Sequence, residues 1–180
     1  MRYINIMLIL VMSHFGSLLI ADDKESEKSI KPYIVLSGAN SRFKKKDTMR
    51  IMTPGAWIKT WQKHLGYKED VKYDLYRNRL KLPIVDFKTC MLIAVFGGKR
   101  FNSAGYKVHT IFLKDDNLIF RYEAKSYQTD GEGEKVTPYG FFIIPRSDKT
   151  VVGEYAYRER KNGPITWIES FTIKKEQSEK

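Results

Sequence analysis

The chain has 180 residues, of which 42% are hydrophobic and 13% aromatic, and its formal net charge is +11. This length is enough for one compact domain with its own core and too short for two comfortable ones. So basic a chain favours acidic partners, such as an anionic cell-envelope polymer, nucleic acid or an acidic protein, although lysines and arginines interspersed with acidic residues are also typical of plain surface solvation.

The first 21 residues have the order of a secretory signal peptide. Met1 and Arg2 form a short positive opening, residues 4–11 are mostly apolar, and residues 13–21 are small and mixed before Asp22. Polar residues interrupt a stretch that would need roughly 20 apolar residues to span a membrane, which disfavours the alternative of an anchor. We therefore predict cleavage near Ala21, export to the periplasm or the extracellular space, and no stable membrane insertion afterwards.

Cys90 is the one cysteine of the sequence. It cannot form an internal disulfide, and no cysteine follows the apolar start to carry a lipid. It precedes the apolar run 91–96, where a buried thiol that behaves as a small hydrophobe is expected rather than a nucleophile.

The first elements of the mature chain are a strand and a helix. Residues 22–30 are polar and predict a linker, and a short strand follows at 33–36. The helix is predicted over about 54–65, because Thr53 can cap it, Pro54 suits its first turn and Gly66 can end it. Its apolar positions recur every four residues, at Trp57, Trp61 and Leu65. That stripe predicts packing on a sheet rather than an aromatic ligand site.

The rest of the chain alternates with the period of β-strands. An apolar strand is predicted at 91–96, another at 139–144, and a hairpin joins 151–160 to 165–173 through Asn162 and Gly163. A second hairpin turns at residues 115–117. In the strand before the turn, one face is predicted to carry Tyr106, Val108, Thr110 and Phe112. In the strand after the turn, one face is predicted to carry Leu118, Phe120, Tyr122 and Ala124, and the opposite face carries Arg121, Glu123 and Lys125.

This pattern predicts a mainly β protein. Antiparallel connections between the late strands indicate a β-sandwich or a strongly coiled antiparallel sheet, with the early helix covering one side. The expected organisation is a single domain over 31–175 and a polar tail at 176–180.

No motif in the sequence describes a reaction. There is no glycine-framed serine, no phosphate-binding loop and no set of His, Cys or carboxylate residues at metal-ligand spacing. The acidic pairs Asp115–Asp116 and Glu132–Glu134 fall in predicted turns, and His109 is predicted on the outer face of its strand. We therefore predict a protein that is not an enzyme and uses no metal or cofactor.

Two loops are candidates for contact with a partner. The segment 97–106 combines flexible glycines with two cations and an aromatic residue, and the segment 128–138 is rich in glycine and charge. Each loop is equally compatible with a simple connection between strands. For Phe101, the alternative is a core residue buried beneath its loop. The predicted partner-binding residues are Lys99, Arg100, Phe101, Asn102 and Tyr106.

A family resemblance rests on short motifs between residues 83 and 145. Val85, Asp86 and Phe87, the strand 91–96, the glycines Gly97, Gly98 and Gly105 before Tyr106, and the later strand 138–144 resemble the C-terminal domain of the PrcB family of exported protease-complex subunits. The resemblance implies a non-catalytic accessory protein that associates with a protease and stabilises its complex. Ala104 stands where that family often has another glycine, and no lipid-bearing cysteine is present.

Two other hypotheses stay open. The 97–106 loop is also similar to one loop of chagasin-type cysteine protease inhibitors, although their other two inhibitory motifs are missing here. The other hypothesis is that the chain is a basic module that binds an anionic cell-envelope polymer. A nucleic-acid partner is not predicted. The sequence leaves the choice between these open.

Overall fold

A computed structural model of the chain describes residues 29–67, 82–160 and 163–175. The proposed signal peptide (1–21), most of the 22–30 linker, the 176–180 tail and the hairpin residue Asn162 lie outside the described residues. The predicted mainly β fold with one helix near residues 54–65 is confirmed. The elements are β1 (Ile34–Gly38), β2 (Lys46–Ile51), α1 (Pro54–Leu65), β3 (Cys90–Gly97), β4 (Arg100–Phe101), β5 (Ser103–Lys114), β6 (Asn117–Ser126), β7 (Lys135–Val136), β8 (Tyr139–Pro145), β9 (Thr150–Tyr157) and β10 (Thr166–Ile173).

Two four-stranded sheets make up the sandwich. The first sheet has the strand order β1-β8-β3-β2 and the second has β10-β9-β6-β5. Side chains of both sheets meet in an inter-sheet core that includes Ile93, Phe142, Phe120 and Val151. A second core lies on the other face of the first sheet, under α1, and we call it the helix-side core; it includes Trp57, Leu92 and Phe141.

The central strands β3 and β8 are buried on both faces. Along β3, Ile93 and Val95 enter the inter-sheet core while Leu92 and Phe96 enter the helix-side core. A strand covered on both sides needs apolar residues at every position, which is why the 91–96 segment is a continuous apolar run rather than an alternating one.

The helix begins and ends where the sequence predicts. The Thr53 hydroxyl accepts a hydrogen bond from the Ala56 amide at 3.3 Å, Pro54 occupies the first turn, and Gly66 ends the helix with a left-handed φ of 82°. Its aromatic stripe packs on the first sheet as expected, with the rings of Trp57 and Phe141 5.1 Å apart. His64 is buried in this contact, whereas Leu65 is half-buried.

One strand pair of the second sheet is parallel. The predicted β9–β10 hairpin is present and antiparallel, as is the β5–β6 hairpin. However, β6 and β9 run in the same direction, from Asn117 beside Thr150 to Tyr122 beside Tyr155. After β6 the chain crosses to the first sheet, where it forms β8, and then returns to the second sheet as β9. Because of this detour, β9 enters the second sheet from the same end as β6 and lies parallel to it.

The predicted face of β5 changes partway along the strand. Tyr106 and Val108 face the inter-sheet core as expected, but the pairing register shifts between Val108 and Thr110. After this bulge, Ile111 takes the core position and Phe112 lies on the outer face beneath the Arg121 guanidinium, 4.9 Å from its ring centre. The prediction that Thr110 and Phe112 share the Tyr106 face was therefore wrong, because one extra residue in a strand reverses the alternation that follows.

No helix among the described residues has the length and apolar character that a membrane crossing requires.

Candidate functional site

The two candidate loops are joined to each other. Residues 97–106 contribute β4 and residues 128–138 contribute β7, and these short strands pair antiparallel with Phe101 opposite Lys135. The Asn102 amide donates to the Glu134 carbonyl at 3.0 Å, and the Glu134 amide donates to the Asn102 side-chain oxygen at 2.7 Å. We call this two-stranded unit the paired loops. Hydrogen bonds across it link the two loops.

Two glycines set the path of the 97–106 loop. Gly98 has a φ of 65°, and a Cβ there would lie 2.7 Å from the backbone nitrogen of Lys46. Gly105 has a φ of 101°, and a Cβ there would lie 2.2 Å from the Ser37 hydroxyl oxygen. Both positions combine a left-handed backbone with close contact to another segment, so they require glycine. These contacts fasten the loop to the first sheet at both ends.

Phe101 is exposed on the paired loops. Its side chain is 60% exposed, so the alternative that it is tucked into the core is wrong. A shallow cavity of about 450 Å³ lies beside it, lined in part by Asn40, Arg100 and Val136. An exposed aromatic ring on a hydrogen-bonded support is a suitable anchor for another protein.

Three cationic residues, Lys99, Arg100 and Lys135, line the cavity beside this ring. The Lys99 amide donates to the Lys44 carbonyl at 3.3 Å, which brings the lysine run 44–46 against the paired loops. The resulting basic cluster consists of exposed residues: Lys44, Lys45, Lys46, Lys99, Arg100 and Lys135. Among the described residues, none of the six forms an ion pair. The second loop also carries Glu132 and Glu134, and the Glu134 carboxylate accepts a hydrogen bond from the Tyr127 hydroxyl.

Asn102 and Tyr106 are less exposed than the other three predicted residues. Asn102 adopts a left-handed φ of 51° and uses its side chain to hold the second loop, through Glu134 and through Thr129 at 3.3 Å. Tyr106 is 2% exposed, and its hydroxyl accepts a hydrogen bond from Arg100 at 3.4 Å. Of the five predicted residues, Lys99, Arg100 and Phe101 therefore form the exposed surface, Asn102 supports it and Tyr106 lies behind it.

A larger cavity of about 560 Å³ opens on the other side of Arg100. It lies between the ends of the two sheets, and its walls include Tyr106, Tyr122, Tyr155 and Tyr157. The sequence patterns alone do not predict this cavity. The alternating tyrosines at 155 and 157 are a visible signal, but Tyr106 and Tyr122 belong to other strands, and no local pattern predicts that the four meet.

His109 and Asp116, two of the other polar residues considered in the sequence, lie beside charged groups. His109 lies 3.0 Å from the Glu123 carboxylate, and Asp116 lies 2.8 Å from the Lys149 ammonium. Cys90 is half-buried and packs against the helix-side core. Within the described ranges no three His, Cys, Asp or Glu residues are grouped so that they could hold a metal ion.

β3, the glycines of the 97–106 loop and β8 together form the support of the exposed surface. Comparisons of the chain with protein-family models, with curated proteins and with solved structures found no match.

Proposed function

We propose that this chain is an exported, non-catalytic binding protein that contacts a protein partner through Phe101 and the basic cluster around it. The observation that carries the proposal is the placement of a 60% exposed phenylalanine on a hydrogen-bonded support. Large aromatic and arginine side chains supply most of the binding energy at protein interfaces. A support that is already ordered lowers the entropic cost of association.

The partner that this surface fits is a protein with an acidic rim around an apolar pocket. The six cations of the basic cluster have no acidic partner among the described residues, so their charge is available for attraction to carboxylates on another molecule. The resemblance of residues 83–145 to PrcB subunits supports an exported protease as that partner. The proposed role is that of an accessory subunit that stabilises the protease complex.

The test begins with capture of partners by the full chain from the exported fraction of its own source, followed by affinity measurement with the purified partner. We expect Phe101→Ala to weaken this binding by about 2 kcal/mol or more, roughly thirtyfold, because truncation removes the central apolar anchor. Its melting temperature should stay unchanged, since the ring is exposed. Surface plasmon resonance and a thermal melt measure the two quantities.

Ile84→Ala is the matched control, because Ile84 is 71% exposed and lies outside the paired loops. This variant should bind like the wild type. Wild-type affinity in Phe101→Ala, or an equal loss in both variants, would remove the paired loops as the binding surface. Binding that depends steeply on salt and survives Phe101→Ala would instead support an anionic polymer as the ligand. Activity assays on a captured protease distinguish stabilisation from inhibition.

A further inference from the structure

The larger cavity has aromatic walls and a cationic rim. The ring of Tyr122 lies edge-on to Tyr106 at 5.7 Å and to Tyr155 at 5.5 Å between ring centres. Tyr106 and Tyr122 are almost fully buried, while Tyr157 is half exposed at the opening. A volume of about 560 Å³ is in the range of small-molecule sites, which are concave and mostly apolar with a few converging polar groups.

The charged residues of this cavity favour an anion. Lys46, Lys99 and Arg100 contribute three positive charges to its lining, and Glu169 contributes one negative charge. The Arg100 guanidinium reaches the Tyr106 hydroxyl at 3.4 Å and also interacts with Tyr155. Its five N–H donors still leave some for a ligand. A guanidinium can bind a carboxylate or phosphate through two parallel hydrogen bonds.

The hydroxyl groups are arranged as donors and acceptors along the walls. Because the Tyr106 oxygen accepts from Arg100, its own proton is available for a hydrogen bond into the cavity. The Ser170 hydroxyl, at an irregularity in β10, donates its proton to the Gly153 carbonyl at 3.0 Å. Because that proton is already used, the Tyr122 hydroxyl donates to the Ser170 oxygen, which lies 2.9 Å away. Burial raises the pKa of Tyr122 to about 12, so this hydroxyl is neutral at physiological pH.

We propose that this tyrosine-lined cavity binds a small organic anion whose carboxylate or phosphate contacts Arg100 and the Tyr106 hydroxyl and whose flat apolar body lies against Tyr122 and Tyr155. The cavity does not include the Phe101 ring, but it shares Lys46, Lys99 and Arg100 with the basic cluster. The inference concerns a small ligand and does not depend on the identity of a protein partner.

The experiment titrates the full chain with three probes in a calorimeter: 1-naphthoate, 1-naphthyl phosphate and the neutral 1-naphthol. We expect at least one of the anions to bind about tenfold or more tightly than 1-naphthol, because the cationic rim contributes charge-assisted hydrogen bonds. Arg100→Gln should weaken anion binding by about tenfold or more, and Tyr155→Leu should weaken all three probes by removing an aromatic wall. Thermal melts show whether each variant is folded.

Phe101→Ala is the control that separates this site from the protein-contact surface. It should bind the anionic probes like the wild type even where it no longer binds a protein partner. The proposal is overturned if neither anion binds, if 1-naphthol binds as tightly as the anions, or if Phe101→Ala loses as much probe affinity as Arg100→Gln. The last result would place the probe on the exposed surface.

Discussion

Trp57→Ala is expected to lower the free energy of unfolding by about 3 to 5 kcal/mol, the cost of replacing a large buried aromatic ring by a methyl group. Trp57 is 2% exposed and lies between α1 and the first sheet, against Trp61 and Phe141. Its indole N–H donates to the Pro83 carbonyl at 3.0 Å, so truncation also removes the partner of that carbonyl. Urea unfolding, followed by circular dichroism, measures the change.

Trp57→Phe separates the ring from its hydrogen bond. This variant keeps an aromatic side chain but leaves the Pro83 carbonyl without its donor, and we expect a loss of roughly 1 to 3 kcal/mol. A cost below about 1.5 kcal/mol for Trp57→Ala would contradict the packing of α1 on the first sheet, because a ring that is mostly solvated contributes little to stability.

The stability of the fold is expected to fall by roughly 2 kcal/mol between pH 7.5 and pH 5 because of His64. His64 is 4% exposed, packs on Tyr139 and Phe141, and has Nδ1 2.9 Å from the Ser41 hydroxyl. Burial lowers the pKa of His64 from 6.5 to about 4. The unfolded chain therefore takes up a proton on this ring below about pH 6.5, whereas the folded chain does so only near pH 4, and acid favours unfolding.

Urea midpoints at several pH values, with the wild type and two variants, test this expectation. His64→Gln removes the titrating ring, so its stability should change little between pH 7.5 and pH 5, even if it is less stable throughout. His109→Gln is the matched control, since His109 lies on the outer face beside Glu123. Equal pH slopes in the wild type and His64→Gln would contradict the assignment.

Asp86 and Asp116 lose their stabilising contributions at pH values below the range of the histidine test. The pKa of Asp116 is lowered by its hydrogen bond and charge interaction with Lys149, and the pKa of Asp86 is lowered by hydrogen bonds from Lys88 and Thr89. A carboxylate whose folded pKa is lowered loses its stabilising contribution only as the pH falls below its ordinary value, which for aspartate is 3.8. These two aspartates therefore contribute little to a stability change between pH 7.5 and pH 5.

Local patterns predicted most of the elements. The helix could be placed to the residue because Thr53, Pro54 and Gly66 act through their own backbone geometry and need no distant partner. The apolar runs at 91–96 and 139–144 predicted the two central strands of the first sheet, because a strand covered on both faces is apolar throughout. These signals lie within a few residues along the chain.

Other features depend on partners that are distant in sequence. β2 was not predicted, because its sequence is polar and its place at the edge of the first sheet comes from pairing with β3. The parallel pairing of β6 with β9 follows from the path of the chain between the two sheets. The bulge between Val108 and Thr110 is visible only in the register with β6, and it reverses the faces of Ile111 and Phe112.

The sequence by itself determined the helix, the central strands, and the glycine-framed loop that carries Lys99, Arg100 and Phe101. Tertiary structure decided which segments meet at that loop, since it pairs with the 128–138 loop and lies against the lysine run 44–46. It also brings together the four tyrosines of the cavity. Local signals reflect the conformational preference and burial of single segments, whereas a binding surface is formed by residues from several strands whose proximity is set by the packing of the two sheets.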